Sequence, residues 1–294
     1  MLISLVIPTF NSSSYIRYTI DSIINQNHQK LEIIIIDDNS DDFSILKKII
    51  CEYTFSNENT PIHLYKNPKK MNASYSRNFG ATLSKGEYIV FLDSDDILYP
   101  NKINYQLSLM EELNLDWSYT ALNHIKRSEI NHKLNIKPIS GIHTNEDIYD
   151  YLFLRDGLIQ TSTIMIRKKI INIVKFNEDL ERHQDYDYCE KLLSHNFRFK
   201  FINEPLTYWI LPEKYISPIN KKQTYNFCIN WLKKRKISKK AQVAYIVKNI
   251  ILVGLKSKQP SYLYNFIFSK DFNLSTKINV FLYLLTYSLR KLCR

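Results

Sequence analysis

Apolar residues in the first hundred positions alternate between two rhythms. Residues 3–7 (ISLVI) form a short run that stops at Pro8, the mark of a buried strand. Residues 11–14 (Asn-Ser-Ser-Ser) supply side-chain oxygens for a helix cap, and Ile16, Ile20, Ile23 and Ile24 follow at helical spacing. Residues 31–36 (LEIIII) are a β-branched run typical of a strand covered on both faces, and they end abruptly in the string DDNSDD at 37–42. A helix over 43–53, a strand over 62–65, a helix over 72–84 closed by Gly86 and a strand over 87–92 complete the series. The last strand again ends in acids, DSDD at 93–96. This alternation predicts an α/β fold with a mostly parallel, Rossmann-like sheet, flanking helices and right-handed crossovers. Ligands of such sheets bind beyond the carboxyl ends of the strands. Three of those ends carry Thr9 and Asn11, Asp37 and Asp38, and Asp93 and Asp95.

Beyond residue 100 the pattern is less regular. It predicts a strand over 116–127, a helix over 145–155 and a strand over 161–167. Residues 183–193 (HQDYDYCEKLL) read as a helix start with acids in its first turn, and 199–202 and 206–210 as strands closing the sheet. After Pro212 the composition shifts to Lys, Tyr, Ile, Leu and Asn. We expect one domain over 1–212 and a helical, basic region over 213–294.

The net charge of +11 changes meaning once it is divided along the chain. From Lys214 onward there are 17 Lys and Arg against one acid, Asp271, whereas residues 1–213 hold 23 basic and 28 acidic side chains, a net of −5. A slightly acidic body with a strongly basic tail calls for a polyanionic partner. Lys233, Lys234, Arg235, Lys236, Lys239 and Lys240 are dense, and apolar residues follow at helical spacing (Ile246, Ile250, Ile251, Leu255), with a second apolar zone from Val280 to Leu289. Basic amphipathic segments of this kind lie on anionic membrane surfaces; the plainer reading is a soluble helical appendage. No nucleic acid is expected, because no matching motif accompanies the charge.

No stretch approaches the ~20 apolar residues of a spanning helix, and the N-terminal run breaks at Pro8 and Asn11, too early for a secretory signal. The four cysteines are far apart, without a CxxC pair. A cytoplasmic protein, peripheral on the inner face of the cell membrane, is expected.

Only 5 glycines occur, and neither GxGxxG nor GxxxxGK[ST] is present. Both motifs bring backbone N–H groups to phosphate, so a bound diphosphate here needs another neutraliser. A divalent cation held by carboxylates is the usual substitute. Asp93-Ser94-Asp95, directly after a buried strand, stands where Mn2+ or Mg2+ would be required.

Four ordered segments resemble the family 2 glycosyltransferases, which have the A-type glycosyltransferase fold. ISLVIPTFN is similar to the family's opening strand, and EIIIIDDNSDD to its second-strand motif. ASYSRNFGATLSKGEYIVFLDSDD resembles the stretch from the A-R-N-x-G helix into the metal motif, and HQDYDYCEKLL the later motif that supplies the base. Together they cover about residues 1–210.

The resemblance implies a nucleotide pocket lined by Pro8, Thr9, Asn11 and Ser94. It also implies that Asp38 hydrogen-bonds the base, usually uracil, that Arg77 lies near the diphosphate and that Asp93 contacts ribose or sugar. Asp95 would bind the metal and Asp185 would be the general base. Two departures are evident: Asn72 stands where the family often has Gly, and Gln184 where a Glu commonly precedes the base.

Alternatives remain for several residues. Asp37 and Asp38 are also suited to cap the next helix, and Arg77 to a solvated helix face. Asp185 also suits a helix N-terminus on electrostatic grounds. Asp187 is a rival base, and His183 is either a metal ligand or an ordinary histidine. Tyr208 and Trp209 read as an acceptor platform or as core, and Trp117 as core.

The expected chemistry is inverting single displacement from a nucleotide diphosphate sugar, with UDP the favoured carrier, onto a glycan or lipid-linked acceptor in cell-surface polysaccharide or lipopolysaccharide synthesis. A catalytically silent nucleotide-sugar-binding protein of the same fold is the alternative. A sugar-nucleotide-forming enzyme is disfavoured, because VIPTFNSSS is neither glycine-rich nor basic.

Overall fold

Seven residues, Ile3–Thr9, form the first strand (β1), and all seven are buried. In the computed structural model, which describes residues 1–57, 59–130, 132–214, 218 and 223–292, Leu31–Asp37 (β2) pairs with β1 in parallel. Ile62–Lys66 (β3) extends the sheet beyond β2, and Tyr88–Phe91 (β4) pairs with the other edge of β1, both in parallel. The connecting helices are Ile16–Ile24 (α1), Phe43–Ser56 (α2) and Ala73–Leu83 (α3).

Strand alternation divides the two faces. Leu5, Ile7, Ile33 and Ile35 join one core cluster with Ile16, Ile20 and Ile23 of α1 and Leu46, Ile49 and Ile50 of α2. The intervening Val6 and Ile36 meet α3 at Gly80, where a Cβ would stand 2.5 Å from Val6 Cγ1.

The second half continues the sheet with mixed polarity. It contains Ile97–Leu98 (β5), the helix Lys102–Glu112 (α4), Trp117–Lys126 (β6), Ile136–Lys137 (β7), Met165–Arg167 (β8) and Phe199–Leu211 (β9). The order is β3-β2-β1-β4-β8-β6-β9-β5, with β7 paired to β6. The parallel part is the β3-β2-β1-β4 block; β8 runs antiparallel to both β4 and β6, and β9 is parallel to β6. Residues 199–202 and 206–210, expected as two strands, belong to the single strand β9. Its register against β6 shifts around Ala121, opposite Pro205. A proline has no N–H to give the ladder, and the irregularity absorbs it.

Gly86 does not cap α3. The helix ends at Ser84 in an extended conformation, and no described glycine has positive φ. Close approach requires the glycine instead: a Cβ there would lie 2.5 Å from Ser4 Oγ, 2.7 Å from Ser4 N and 2.8 Å from Leu2 O. Its N–H donates to Ser4 Oγ (2.8 Å) and to the buried Glu32 Oε1 (3.1 Å). Two of the clashing atoms are backbone, so Gly86→Ala is expected to destabilise the fold by about 2 kcal/mol or more. A urea or thermal melt checks this; an unchanged midpoint would mean that the loop yields freely.

The chain divides into two compact units, residues 1–141 with 158–213 and residues 142–157 with 214–294. Residues 142–157, read from sequence as part of the first segment, thus belong to the second unit. That unit contains Ile148–Leu154 (α5), and the first unit contains Gln184–Ser194 (α6). The second unit continues with Tyr225–Lys233 (α7), Lys239–Tyr245 (α8), a π-helical turn Ile246–Ile251, Leu252–Lys256 (α9), Ser261–Phe268 (α10) and Leu274–Leu292 (α11). Its core is aromatic. Trp231 stacks on Tyr245 (5.0 Å, 20°) and meets the Tyr149 ring edge-on (5.6 Å, 86°). Among the described residues no helix is long and apolar enough to cross a membrane.

Candidate active site

The loops after β1, β2 and β3 are tied to one another by side chains that the sequence singled out. Asn11 adopts φ 50°, its N–H donates to Ser40 Oγ (2.9 Å), and its Oδ1 accepts from Asp41 N (2.9 Å). Asp38 is buried. Its Oδ1 accepts from Met71 N (2.7 Å) and Asn67 Nδ2 (2.9 Å), and its Oδ2 accepts from Asn72 N (3.0 Å). Pro8 and Thr9 are buried within β1, and the Thr9 carbonyl accepts from Asp38 N (2.8 Å). Asp38 and Asn11 therefore tie together the loops that follow the carboxyl ends of the strands. Phe10, next to Asn11 in the chain, is 39% exposed, and the Lys70 ammonium lies 3.4 Å from its ring centre.

Asn72, where the family often has glycine, has φ 111°, a backbone conformation that favours glycine. Local bonds offset the strain. Its Oδ1 accepts from Tyr75 N (3.1 Å) as the cap of α3, and its Nδ2 donates to Glu178 O (2.6 Å).

Beyond β4 the three carboxylates have distinct environments. Asp96 is fully buried; it accepts from Ser162 Oγ (2.6 Å), Gln160 Nε2 (2.9 Å) and Ile210 N (3.1 Å). Burial pushes its carboxyl well above the usual carboxylate range, and the charges of Asp95 and Asp93 add to this. Asp93 accepts from Arg77 Nη2 (2.6 Å) and Gln160 Nε2 (3.2 Å). Ser94 is buried and its carbonyl accepts from Thr19 Oγ1 (2.8 Å). Asp95 is exposed. Its charge is felt at the Tyr15 hydroxyl, which is raised first by burial and then by Asp95. Asp96 belongs to the acidic run that ends the strand, but nothing local in the sequence marks Gln160 and Ser162 as its partners.

Asp185 stands in the first turn of α6, half-buried. Burial raises its carboxyl, while Arg182 and Arg77 pull the other way. The rival Asp187 is buried and ion-paired to Lys191 Nζ (2.9 Å), one helical turn on. His183 is buried at the cap of α6 with φ 60°, its ring stacked near Tyr186 (4.9 Å, 23°). Among the described residues no three His, Cys, Asp or Glu side chains form a ready metal cage.

Arg77 joins the two acidic regions. It is 6% exposed, with Phe176 under its guanidinium (5.2 Å). One nitrogen donates to Asp93 at the end of β4, and Nη1 donates to Gln184 Oε1 (3.1 Å) at the start of α6. Gln184 Nε2 in turn donates to Leu180 O (2.7 Å). The amide thus accepts on one side and donates on the other, which a glutamate carboxylate cannot do. Of the aromatic residues, Trp117 is core, stacked on Phe199 (4.7 Å). Tyr208 and Trp209 are half-buried and stacked on Tyr99 (4.2 Å) and His124 (4.4 Å).

Residues 4–173 match the family model described as glycosyl transferase family 2. The chain is 32% identical over 234 residues to the amylovoran biosynthesis glycosyltransferase AmsB of Erwinia amylovora, covering 78% of this chain and 76% of that protein. Among solved structures it is similar to S. aureus TarS 1–349 in complex with UDP-GlcNAc, with TM-score 0.59, 17% identity and coverage of 95% of this chain and 78% of that one. It is also similar to the mannosyltransferase PcManGT from Pyrobaculum calidifontis in complex with GDP-Man and Mn2+, with TM-score 0.61, 13% identity and coverage of 98% and 79%.

Proposed function

Because the chain belongs to glycosyl transferase family 2 and has the A-type glycosyltransferase fold, we propose that it transfers a sugar from a nucleotide diphosphate sugar to a hydroxyl of a glycan or lipid-linked acceptor, with inversion. The observation that carries this reading is the Arg77 bridge, which holds Asp93 and the residue beside Asp185 on one guanidinium. The acidic strand end and the acidic helix start are thereby tied to one arginine, and in this reading donor and acceptor meet beside it. UDP is the favoured carrier, supported by the UDP-GlcNAc complex of one structural neighbour. The name of the relative from Erwinia amylovora supports cell-surface polysaccharide as the product class.

In this reading the exposed ring of Phe10 offers a face for the base, beside the wall held by Pro8, Thr9, Asn11 and Asp38. Asp93 and Ser94 border the ribose and diphosphate. Asp185 removes the acceptor proton as the hydroxyl attacks the anomeric carbon, and burial makes it a stronger base than an ordinary aspartate. Direct attack inverts the configuration, and no second carboxylate is needed as nucleophile.

Asp95 is the exposed carboxylate of its cluster, and its charge already burdens Asp96 and Tyr15. A single hard cation held by Asp95, donor phosphates and water fits that negative field. When bound, Mn2+ or Mg2+ would supply stabilisation of charge on the leaving diphosphate.

A thermal-shift panel tests the donor site, because a ligand that binds the native state raises stability by mass action. UDP-sugars with Mn2+ are expected to raise the melting temperature, and Asp95→Asn to abolish the Mn2+-dependent part. Chelation is expected to lower transfer by about 100-fold or more. A donor-induced shift untouched by chelation and by Asp95→Asn would remove the metal from this scheme. Donor binding without any hydrolysis or transfer would favour a silent binding protein.

A further inference from the structure

The second unit leaves one face of α11 apolar and uncovered. Leu274, Ile278, Phe281, Leu282 and Leu285 are all exposed, Leu274 at 73% and Leu285 at 63%. Their spacing puts them on one stripe of the helix. Val280, on the opposite side, is fully buried and already serves the unit's core. The helix therefore has two apolar sides, of which packing uses one. Preceding α10 repeats the pattern on a smaller scale. Tyr262 and Phe266 are buried, while Tyr264, Ile267 and Phe268 are exposed. The turn between the two helices is tied down by Lys277 Nζ donating to Ser269 O (2.8 Å) and by the Phe266–Phe272 ring contact (5.3 Å).

Single exposed leucines are ordinary on protein surfaces. Five large apolar side chains on one stripe, with three more on the preceding helix, mark a surface that another phase or partner covers. Charge identifies which. The second unit carries 18 basic and 5 acidic side chains, counting Arg155 and the four acids of residues 142–157. Asp271, the lone acid after Glu213, is ion-paired to Lys233. Lys256, Lys258 and Lys270 are exposed in the segments flanking α10. A second copy would bring a second strongly positive unit against the first, which repels. A polyanion without an apolar phase would leave these apolar side chains in water.

We propose that the apolar stripe of α11 docks the protein on an anionic bilayer surface. The stripe sinks to the headgroup–acyl boundary, and the exposed lysines meet lipid phosphates. The inference deepens the glycosyltransferase reading, on which it rests only for its purpose of bringing the enzyme to a membrane-borne acceptor.

The test is co-sedimentation of the full chain with vesicles of phosphatidylcholine alone and of phosphatidylcholine and phosphatidylglycerol in equal parts. Wild-type protein should pellet with the mixed vesicles and be released by salt. Pairing Leu282→Asp with Leu285→Asp should lower binding about tenfold or more, with an unchanged melting temperature, since both side chains are exposed. Absence of wild-type binding, equal binding by the double variant, or a wild-type dimer that the double variant converts to monomer would each overturn the proposal. The donor-induced thermal shift separates the two readings. Lost docking with an intact shift leaves the transferase standing, and intact docking without a shift leaves only the membrane face.

Discussion

Asp185→Asn is expected to lower transfer by about 10²–10⁴-fold, the usual contribution of a positioned general base. Donor-induced thermal stabilisation should survive, because the amide keeps the shape and Oδ1 can still accept from Tyr186 N. Burial raises the Asp185 carboxyl, so the wild-type acid limb of kcat/KM should lie above the ordinary aspartate range, with activity rising as pH rises through it. The stability sign runs the other way. A carboxyl held higher in the folded state than in the unfolded chain binds its proton more tightly when folded. Its stabilising contribution is present at acid pH and is lost as pH rises through the folded value. At neutral pH the Asn variant escapes that penalty, so its melting temperature should equal or exceed that of wild type. Full turnover by Asp185→Asn would strip Asp185 of the role.

Arg77→Met is expected to damage both stability and chemistry. The guanidinium is buried, and its removal leaves Asp93 without a cation and Gln184 without a donor. Breaking a largely buried pair of this kind costs about 3 kcal/mol. Arg77 also pulls Asp185 downward, so its loss should move the acid limb of the rate profile to higher pH. Arg77→Lys should rescue only part of the effect, because one ammonium cannot reproduce the planar fork that spans Asp93 and Gln184. Urea melts and pH–rate profiles of the two variants report these effects separately. Wild-type stability together with an unshifted profile for Arg77→Met would show that the bridge does not matter.

Where the fold was legible, local neighbours carried the signal. The runs at 3–7 and 31–36 are strands because short runs rich in Ile and Val suit a sheet covered on both faces, and α1 and α2 announce themselves by apolar spacing. Helix α4 shows no clear apolar period because its buried face carries Lys102 and Gln106. The Lys102 amine donates to Gln106 Oε1, and burial pushes it down to about 7. Gln106 Nε2 donates to Ser118 Oγ (2.9 Å) and Thr163 O (3.1 Å), partners 12 and 57 positions away. A polar residue whose partner is remote breaks the apolar period without marking its own burial. β5 and β7, two residues each, are too short to show a period at all.

The sequence by itself determined that acids end the strands, that an aspartate pair opens a later helix and that positive charge gathers at the end of the chain. Those features follow from residues within a few positions of one another, where spacing alone decides which side chains share a face. Tertiary structure decided what each acid is available for. Asp95 and Asp96 are adjacent, yet one is exposed and the other is buried among donors from residues 160, 162 and 210. Asp187 is committed to Lys191, and Asp185 is left half-buried near an arginine more than a hundred positions earlier. Burial and partner set the energy of a charge, and both come from segments that only packing brings together.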